Sequence, residues 1–189
     1  MTNVRSRSLV TGGTGFTGSH LVRRLLGRGD HVRVLDTTPG LFADELRTLG
    51  AELTFGSVTD RDVVDRLMVG VDRVFHIAAV FRKINLPSHV YHEVNVLGTR
   101  VVGEAALRHG VTAFVYCSTQ GVHGHIKSPP GDETSPINPE DYYQQTKYEG
   151  EEEIATLVAG GLPAITLRPM AIYGPGDPAR FLFLFRAVK

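Results

Sequence analysis

Residues 11–18 read TGGTGFTG, with four glycines in eight residues. The run follows the short apolar stretch Ser8-Leu9-Val10 and precedes SHLVRRLL, residues 19–26. A flexible loop and a phosphate cradle at the start of a helix both use glycine, so the flanking sequence has to decide between them.

Outward from this run the chain alternates. Short apolar, β-branched runs occur at 8–10, 32–36, 51–56, 73–79, 113–118 and 164–169. Helix-period segments lie between them. From Ser19 to Arg28, Leu21, Val22, Leu25 and Leu26 share one face, with arginines opposite. From Ser88 to His109, Val90, Val94, Leu97, Val101 and Ala105 recur at spacings of three and four. Strand alternating with helix predicts an α/β fold, a doubly wound parallel sheet of Rossmann type with helices on both faces. Ligands of such sheets bind at the carboxyl ends of the strands.

In that setting the glycine run is where a pyrophosphate belongs. Gly12 is expected to permit the tight turn, Gly15 to let backbone N–H groups approach the phosphates, and Gly18 to let the helix pack close to the sheet. Asp36 ends the second strand, 18 residues after Gly18. A carboxylate there would accept hydrogen bonds from the adenosine ribose hydroxyls and repel a 2′-phosphate, which favours NAD over NADP. Arg33 sits in mid-strand and is not read as a phosphate clamp.

The stretch YYQQTKYEGEEEI, residues 142–154, carries the next signal. Tyr143 and Lys147 are four apart and share a helix face. A tyrosine of ordinary pKa, about 10, is a poor base at neutral pH. A neighbouring ammonium and an oxidised nicotinamide would both favour phenolate, so Tyr143 could exchange a proton while hydride moves. By spacing alone the pair is equally a surface feature, as Tyr142 and Tyr148 are read to be. The acidic run Glu149–Glu153 reads as a solvated helix face.

Composition narrows the partners. The 189 residues are 42% hydrophobic and 21% charged, with zero formal net charge. One domain is expected, and neither nucleic acid nor an anionic membrane is the expected partner, since both call for a basic surplus. A single cysteine, Cys117, excludes an internal disulfide and fits a cytoplasmic location. No signal peptide or transmembrane stretch is visible. Residues 124–141, with four prolines, form the most loop-like segment. The histidines show no metal-ligand spacing, so no metal is expected, and His76, His123 and His125 are read as packing or loop residues. Cys117 is read as buried and inert.

TGGTGFTG, Asp36, HIAA (76–79), NVLGT (95–99), STQGVHG (118–124), YQQTK (143–147) and LRPMAIYGPG (167–176) occur in one order. The ordered set resembles the extended short-chain dehydrogenase/reductases, the NAD-dependent epimerase/dehydratase family, over essentially the whole chain. The resemblance implies that Gly12, Gly15, Phe16, Thr17 and Gly18 line the pyrophosphate and that Asp36 holds the ribose. It places Ser57 and Val58 beside adenine, where Ser57 replaces the family's usual aspartate and weakens the expected contact to the adenine amino group. Ala78 and Ala79 would pass the cofactor sugars, and Pro169 to Ile172 the nicotinamide carboxamide. Thr119 would hold the reacting oxygen, Tyr143 would handle the proton, and Lys147 would tune it and hold the nicotinamide ribose. Asn95 and His123 would be structural.

A small-molecule substrate is implied, with nucleotide sugars leading and hydroxysteroid- or flavanonol-type ketones second. A non-catalytic, dinucleotide-binding regulatory protein is the rival of another class. The resemblance also implies a homodimer, through the helices beginning near Ser88 and Glu140. The chain stops at FLFLFRAVK, and the resemblance implies that longer members supply a substrate domain beyond this point. Little turnover is therefore expected from these residues alone, and the apolar end is expected to seek a partner surface.

Overall fold

The computed structural model describes residues 5–81, 86–177 and 187. The expectation for the apolar end, residues 180–189, lies almost wholly outside the described residues.

Six strands form one parallel sheet: β1 (Arg7–Thr11), β2 (His31–Asp36), β3 (Glu52–Phe55), β4 (Arg73–His76), β5 (Ala113–Cys117) and β6 (Ala164–Leu167). Their spatial order is β3-β2-β1-β4-β5-β6, so the direction of winding reverses between β1 and β4. Six α-helices connect them: α1 (Phe16–Gly27), α2 (Ala43–Thr48), α3 (Arg61–Met68), α4 (Ser88–His92), α5 (Gly98–Arg108) and α6 (Tyr142–Ala159). The expected fold is the observed one. Strands β3 to β6 end before their apolar runs do, because the last residues of those runs form loops at the carboxyl edge.

The near-continuous apolar strands have a simple cause. Successive residues point to opposite faces, and both faces are covered. Leu9 packs with Val74, Phe114 and Ile154 on one face, while Val10 packs with Val22, Leu25 and Val34 on the other. At the β6 edge the second face is bare: Ile165 is 57% and Leu167 48% exposed. No helix among the described residues is long and apolar enough to cross a membrane.

Three details depart from the sequence expectations. Helix α1 starts at Phe16, inside the glycine run, rather than at Ser19. The 88–109 segment is not one helix, since a π-helical turn, Glu93–Leu97, separates α4 from α5. That turn shifts the phase of the stripe, leaving Val101 and Ala105 in the core and Leu97 37% exposed. The acidic run is not a solvated face either. Glu151 is buried against Arg168 and Glu153 pairs with Arg100, because α6 lies between α5 and β6 and each neighbour offers an arginine.

Candidate active site

The carboxyl edge of the sheet opens on a cavity of about 910 Å³ at the point where the winding reverses. Gly12, Gly15, Phe16, Thr17, Gly18, Asp36, Ser57, Val58, Ala78, Ala79, Thr119, Tyr143, Pro169 and Ile172 all line it. Lys147 does not, for it lies behind the wall.

The glycine turn is built by close approach. Gly12 has φ +71°, and a Cβ there would sit 2.8 Å from Ala78 N and Cα. A Cβ on Gly18 would sit 2.1 Å from the Gly12 carbonyl oxygen. The first turn of α1 therefore lies directly on the loop that leaves β1. The amides of Phe16, Thr17 and Gly18 have no partner within the helix, and their residues face the cavity. No acidic side chain occupies this first turn. Such bare backbone at a helix start is suited to an anion.

Asp36 is held at the end of β2 from both sides. Its Oδ2 accepts from Thr14 N–H at 3.0 Å and from the Thr14 hydroxyl at 2.6 Å, and Oδ1 accepts from Thr37 N–H at 2.8 Å. The sequence reading missed Thr14, since nothing in its spacing announces a contact across 22 residues. Ser57 turns its hydroxyl to Thr59, with the two oxygens 2.7 Å apart.

Thr119 caps a short 3₁₀ turn, Gln120–His123, by accepting from Gly121 N–H at 3.1 Å, which leaves its own O–H as a donor. Tyr143 lies in the first turn of α6. Asp141 caps that helix and Gln144 completes a capping box, a D-x-x-Q signature that was legible in the sequence. The Phe81 ring meets Tyr143 edge-on, with centroids 4.9 Å apart.

A polar chain under the cavity ties these parts together. Thr11 Oγ1 accepts from Ala78 N–H at 3.2 Å and donates to His76 Nδ1 at 2.7 Å. His76 Nε2–H donates to Thr99 at 3.0 Å, and Thr99 donates to the Asn95 carbonyl at 2.7 Å. Asn95 in turn brackets Val80, with bonds of 2.8 and 3.1 Å, and donates to Thr146 at 3.0 Å. Burial drops the His76 pKa to about 3, so the ring is neutral and packs as expected. Asn95 is structural, as read.

His123 is likewise structural. Its Nδ1–H donates to the Pro136 carbonyl and its Nε2 accepts from Arg168. Arg168 also donates to both oxygens of buried Glu151, and Ser118 donates to the same carboxylate. Only β6 arriving beside α6 brings these groups together. Cys117 is not fully buried as expected. It lines the cavity, although burial raises its thiol pKa and keeps it poorly nucleophilic.

Lys147 is 1% exposed, with Nζ 4.1 Å above the centre of the Tyr116 ring. Burial depresses its pKa below the ordinary lysine value, while Tyr143, Cys117 and Glu151 pull it back up. A buried ammonium costs several kcal/mol in desolvation, whereas a cation–π contact returns about 2 kcal/mol. The penalty wins. A depressed lysine pKa stabilises the fold only at high pH and is lost as pH falls through the folded-state value. Lys147→Met should therefore raise Tm at pH 7, with the gain shrinking as pH rises toward 10.5. Thermal melts across that range check this, and a lower Tm for the variant at pH 7 would contradict it.

Comparison with known proteins agrees with this geometry. Residues 8–188 match the model of the NAD dependent epimerase/dehydratase family. A 3 beta-hydroxysteroid dehydrogenase/Delta 5-->4-isomerase of Mycobacterium tuberculosis is 36% identical, over 100% of this chain and 53% of that protein. A dTDP-glucose 4,6-dehydratase of Streptomyces niveus is 35% identical, over 95% of this chain and 58% of that protein. Among solved structures, the dTDP-glucose 4,6-dehydratase DesIV of Streptomyces venezuelae, with NAD and TYD bound, superposes with a TM-score of 0.86 at 33% identity. It covers 96% of this chain and 61% of that one. The chain spans about half the length of the curated relatives it matches. Matched by that family's model over nearly its whole length and folded on the same kind of parallel sheet as its solved relatives, the chain belongs to the NAD-dependent epimerase/dehydratase family.

Proposed function

We propose that the cavity binds NAD and that the whole protein moves hydride between the nicotinamide and a carbon bearing a hydroxyl or carbonyl. One observation carries this: the glycine turn, Asp36, Thr119 and Tyr143, spread over more than half of the chain, open on a single cavity. The fit of a dinucleotide is supported by a turn packed so closely that a Cβ at Gly12 or Gly18 would clash with neighbouring backbone and push the helix start away from the cavity.

In this reading Gly12, Gly15 and Gly18, with the amides of Phe16 and Thr17, hold the pyrophosphate. Asp36 takes the adenosine ribose hydroxyls, Ser57 and Val58 lie beside adenine, and Ala78 and Ala79 flank the sugars. Pro169 and Ile172 lie on the nicotinamide side. NAD, when bound, supplies the hydride acceptor. Thr119 donates a hydrogen bond to the substrate oxygen and Tyr143 takes or returns its proton. Lys147 favours the phenolate through space, from behind the wall rather than as a cavity-lining group.

A nucleotide sugar is the substrate we favour, supported by the likeness to two dTDP-glucose 4,6-dehydratases. A hydroxysteroid-type ring alcohol is the second reading. The apolar side chains of Phe81, Val90 and Met170 in the cavity favour it, as does the 36% identical steroid dehydrogenase. We read the 189 residues as the cofactor-binding half of a longer enzyme. We also propose a homodimer through the helical segment of α4 and α5 and through α6, which light scattering checks: a mass near one 20.6 kDa chain at micromolar concentration would refute it.

The full-length protein should reduce NAD with one class in a panel of nucleotide sugars, hydroxysteroids and flavanonols. NAD binding by calorimetry without turnover on any of them would favour a dinucleotide sensor instead. An absence of NAD binding would end the reading altogether.

A further inference from the structure

We infer that Thr14, a residue outside the cavity, sets the preference for NAD over NADP by aiming the Asp36 carboxylate. This rests on the reading of Asp36 as the ribose acid.

Thr14 is 2% exposed and does not line the cavity, so it acts through others. Two of its donors, the backbone N–H and the hydroxyl, converge on one oxygen of Asp36 at 3.0 and 2.6 Å. The Thr38 carbonyl lies 3.2 Å from the same hydroxyl. A hydroxyl has one proton, and the shorter, charged acceptor takes it. The hydroxyl also accepts from Gly40 N–H at 3.2 Å. A Cβ on Gly40 would sit 2.2 Å from the Thr14 carbonyl oxygen, so the loop after β2 is seated directly on Thr14. Thr37 N–H holds the other Asp36 oxygen at 2.8 Å.

The consequence is a carboxylate that cannot swing away. An aspartate free to rotate could turn outward and let a 2′-phosphate approach the end of β2. Here, turning outward breaks three charge-assisted bonds, two from Thr14 and one from Thr37, and loosens the 37–40 loop. The repulsion that disfavours NADP is therefore fixed in place, and so are the acceptor directions offered to ribose hydroxyls. Thr14 is a positioning residue for cofactor choice, and its side-chain hydroxyl carries the effect.

The test is calorimetric binding of NAD and of NADP to the full chain. Thr14→Val keeps the shape and removes the hydroxyl. Thr14→Ala removes the hydroxyl with no added methyl and carries the same test if the valine variant folds poorly. Either should lower the ratio of NADP to NAD dissociation constants about tenfold, the size of one charge-assisted hydrogen bond. Thr14→Ser should restore the wild-type ratio. In an Asp36→Ala background the Thr14 substitutions should have no further effect on the ratio. If Asp36→Ala shifts the ratio while both Thr14 variants leave it unchanged, the inference fails and the ribose reading stands. If the Thr14 effect persists undiminished without Asp36, the inference also fails. If Asp36→Ala itself leaves the ratio unchanged, the ribose reading falls and takes the inference with it.

Discussion

Tyr143→Phe should lower kcat by about 10²–10⁴ while leaving the NAD dissociation constant within about twofold. The change deletes one oxygen and keeps the ring. Phe81 packs edge-on against that ring, and the Thr146 hydroxyl bonds the backbone carbonyl of residue 143, so neither contact depends on the phenol oxygen. The asparagine bracket that ties α6 to Val80 runs through Thr146 and is untouched as well. What goes, on the proposed function, is the proton carrier near Lys147. Without it the developing alkoxide has Thr119 as a hydrogen-bond donor but no group to exchange its proton. Steady-state NADH formation with the best substrate of the panel, alongside calorimetry, reads both quantities. A variant with wild-type kcat would remove Tyr143 from the chemistry. A variant that no longer bound NAD would show that the phenol holds the cofactor site together instead.

Gly18→Ala should destabilise the protein by about 2 kcal/mol net and weaken NAD binding at least a hundredfold, although alanine is the better helix former. Helix propensity favours the change by about 1 kcal/mol. Against it stands a Cβ placed 2.1 Å from the Gly12 carbonyl oxygen and 2.7 Å from Gly13 Cα. Both are backbone atoms and no rotamer can relieve them, so α1 must move off the loop. Overpacking of this kind costs about 1–3 kcal/mol, and a clash with backbone lies at the upper end. Moving the helix also withdraws the Phe16 and Thr17 amides from the cradle. Gly27, in the last turn of the same helix, is the control. A Cβ there meets nothing within 4 Å, so Gly27→Ala should stabilise by up to about 1 kcal/mol and leave NAD affinity alone. Denaturant melts and calorimetry on the pair decide it. Equal effects at the two positions would refute the packing argument.

The two substitutions differ in how visible their reasons were in the sequence. Gly18 could be assigned close packing because it follows a strand by a fixed interval and opens a helical period. Tyr143 could not be singled out by spacing from Tyr142 or Tyr148, and only the ordered motifs did that. The capping box at Asp141 and Gln144 is local and legible in the sequence. The π-helical turn left no local trace, and the regular stripe from Val90 to Ala105 concealed it.

By itself the sequence determined the alternation of strand and helix, the parallel sheet, the glycine turn and the acid at the end of β2. These follow from periodicity and from the backbone freedom of glycine, which act over a few residues. Tertiary structure decided what depends on elements meeting. The order β3-β2-β1-β4-β5-β6 brings Thr14 onto Asp36 across 22 residues and Asn95 onto Thr146 across 51. Glu151 is buried because β6 delivers Arg168 beside α6, so an acidic run that reads as solvated becomes half of a buried ion pair. Lys147 lies behind the wall rather than in it because Tyr116, on β5, offers its ring face there. A charge is buried only where a distant part of the chain supplies its partner, and local pattern carries no record of that partner.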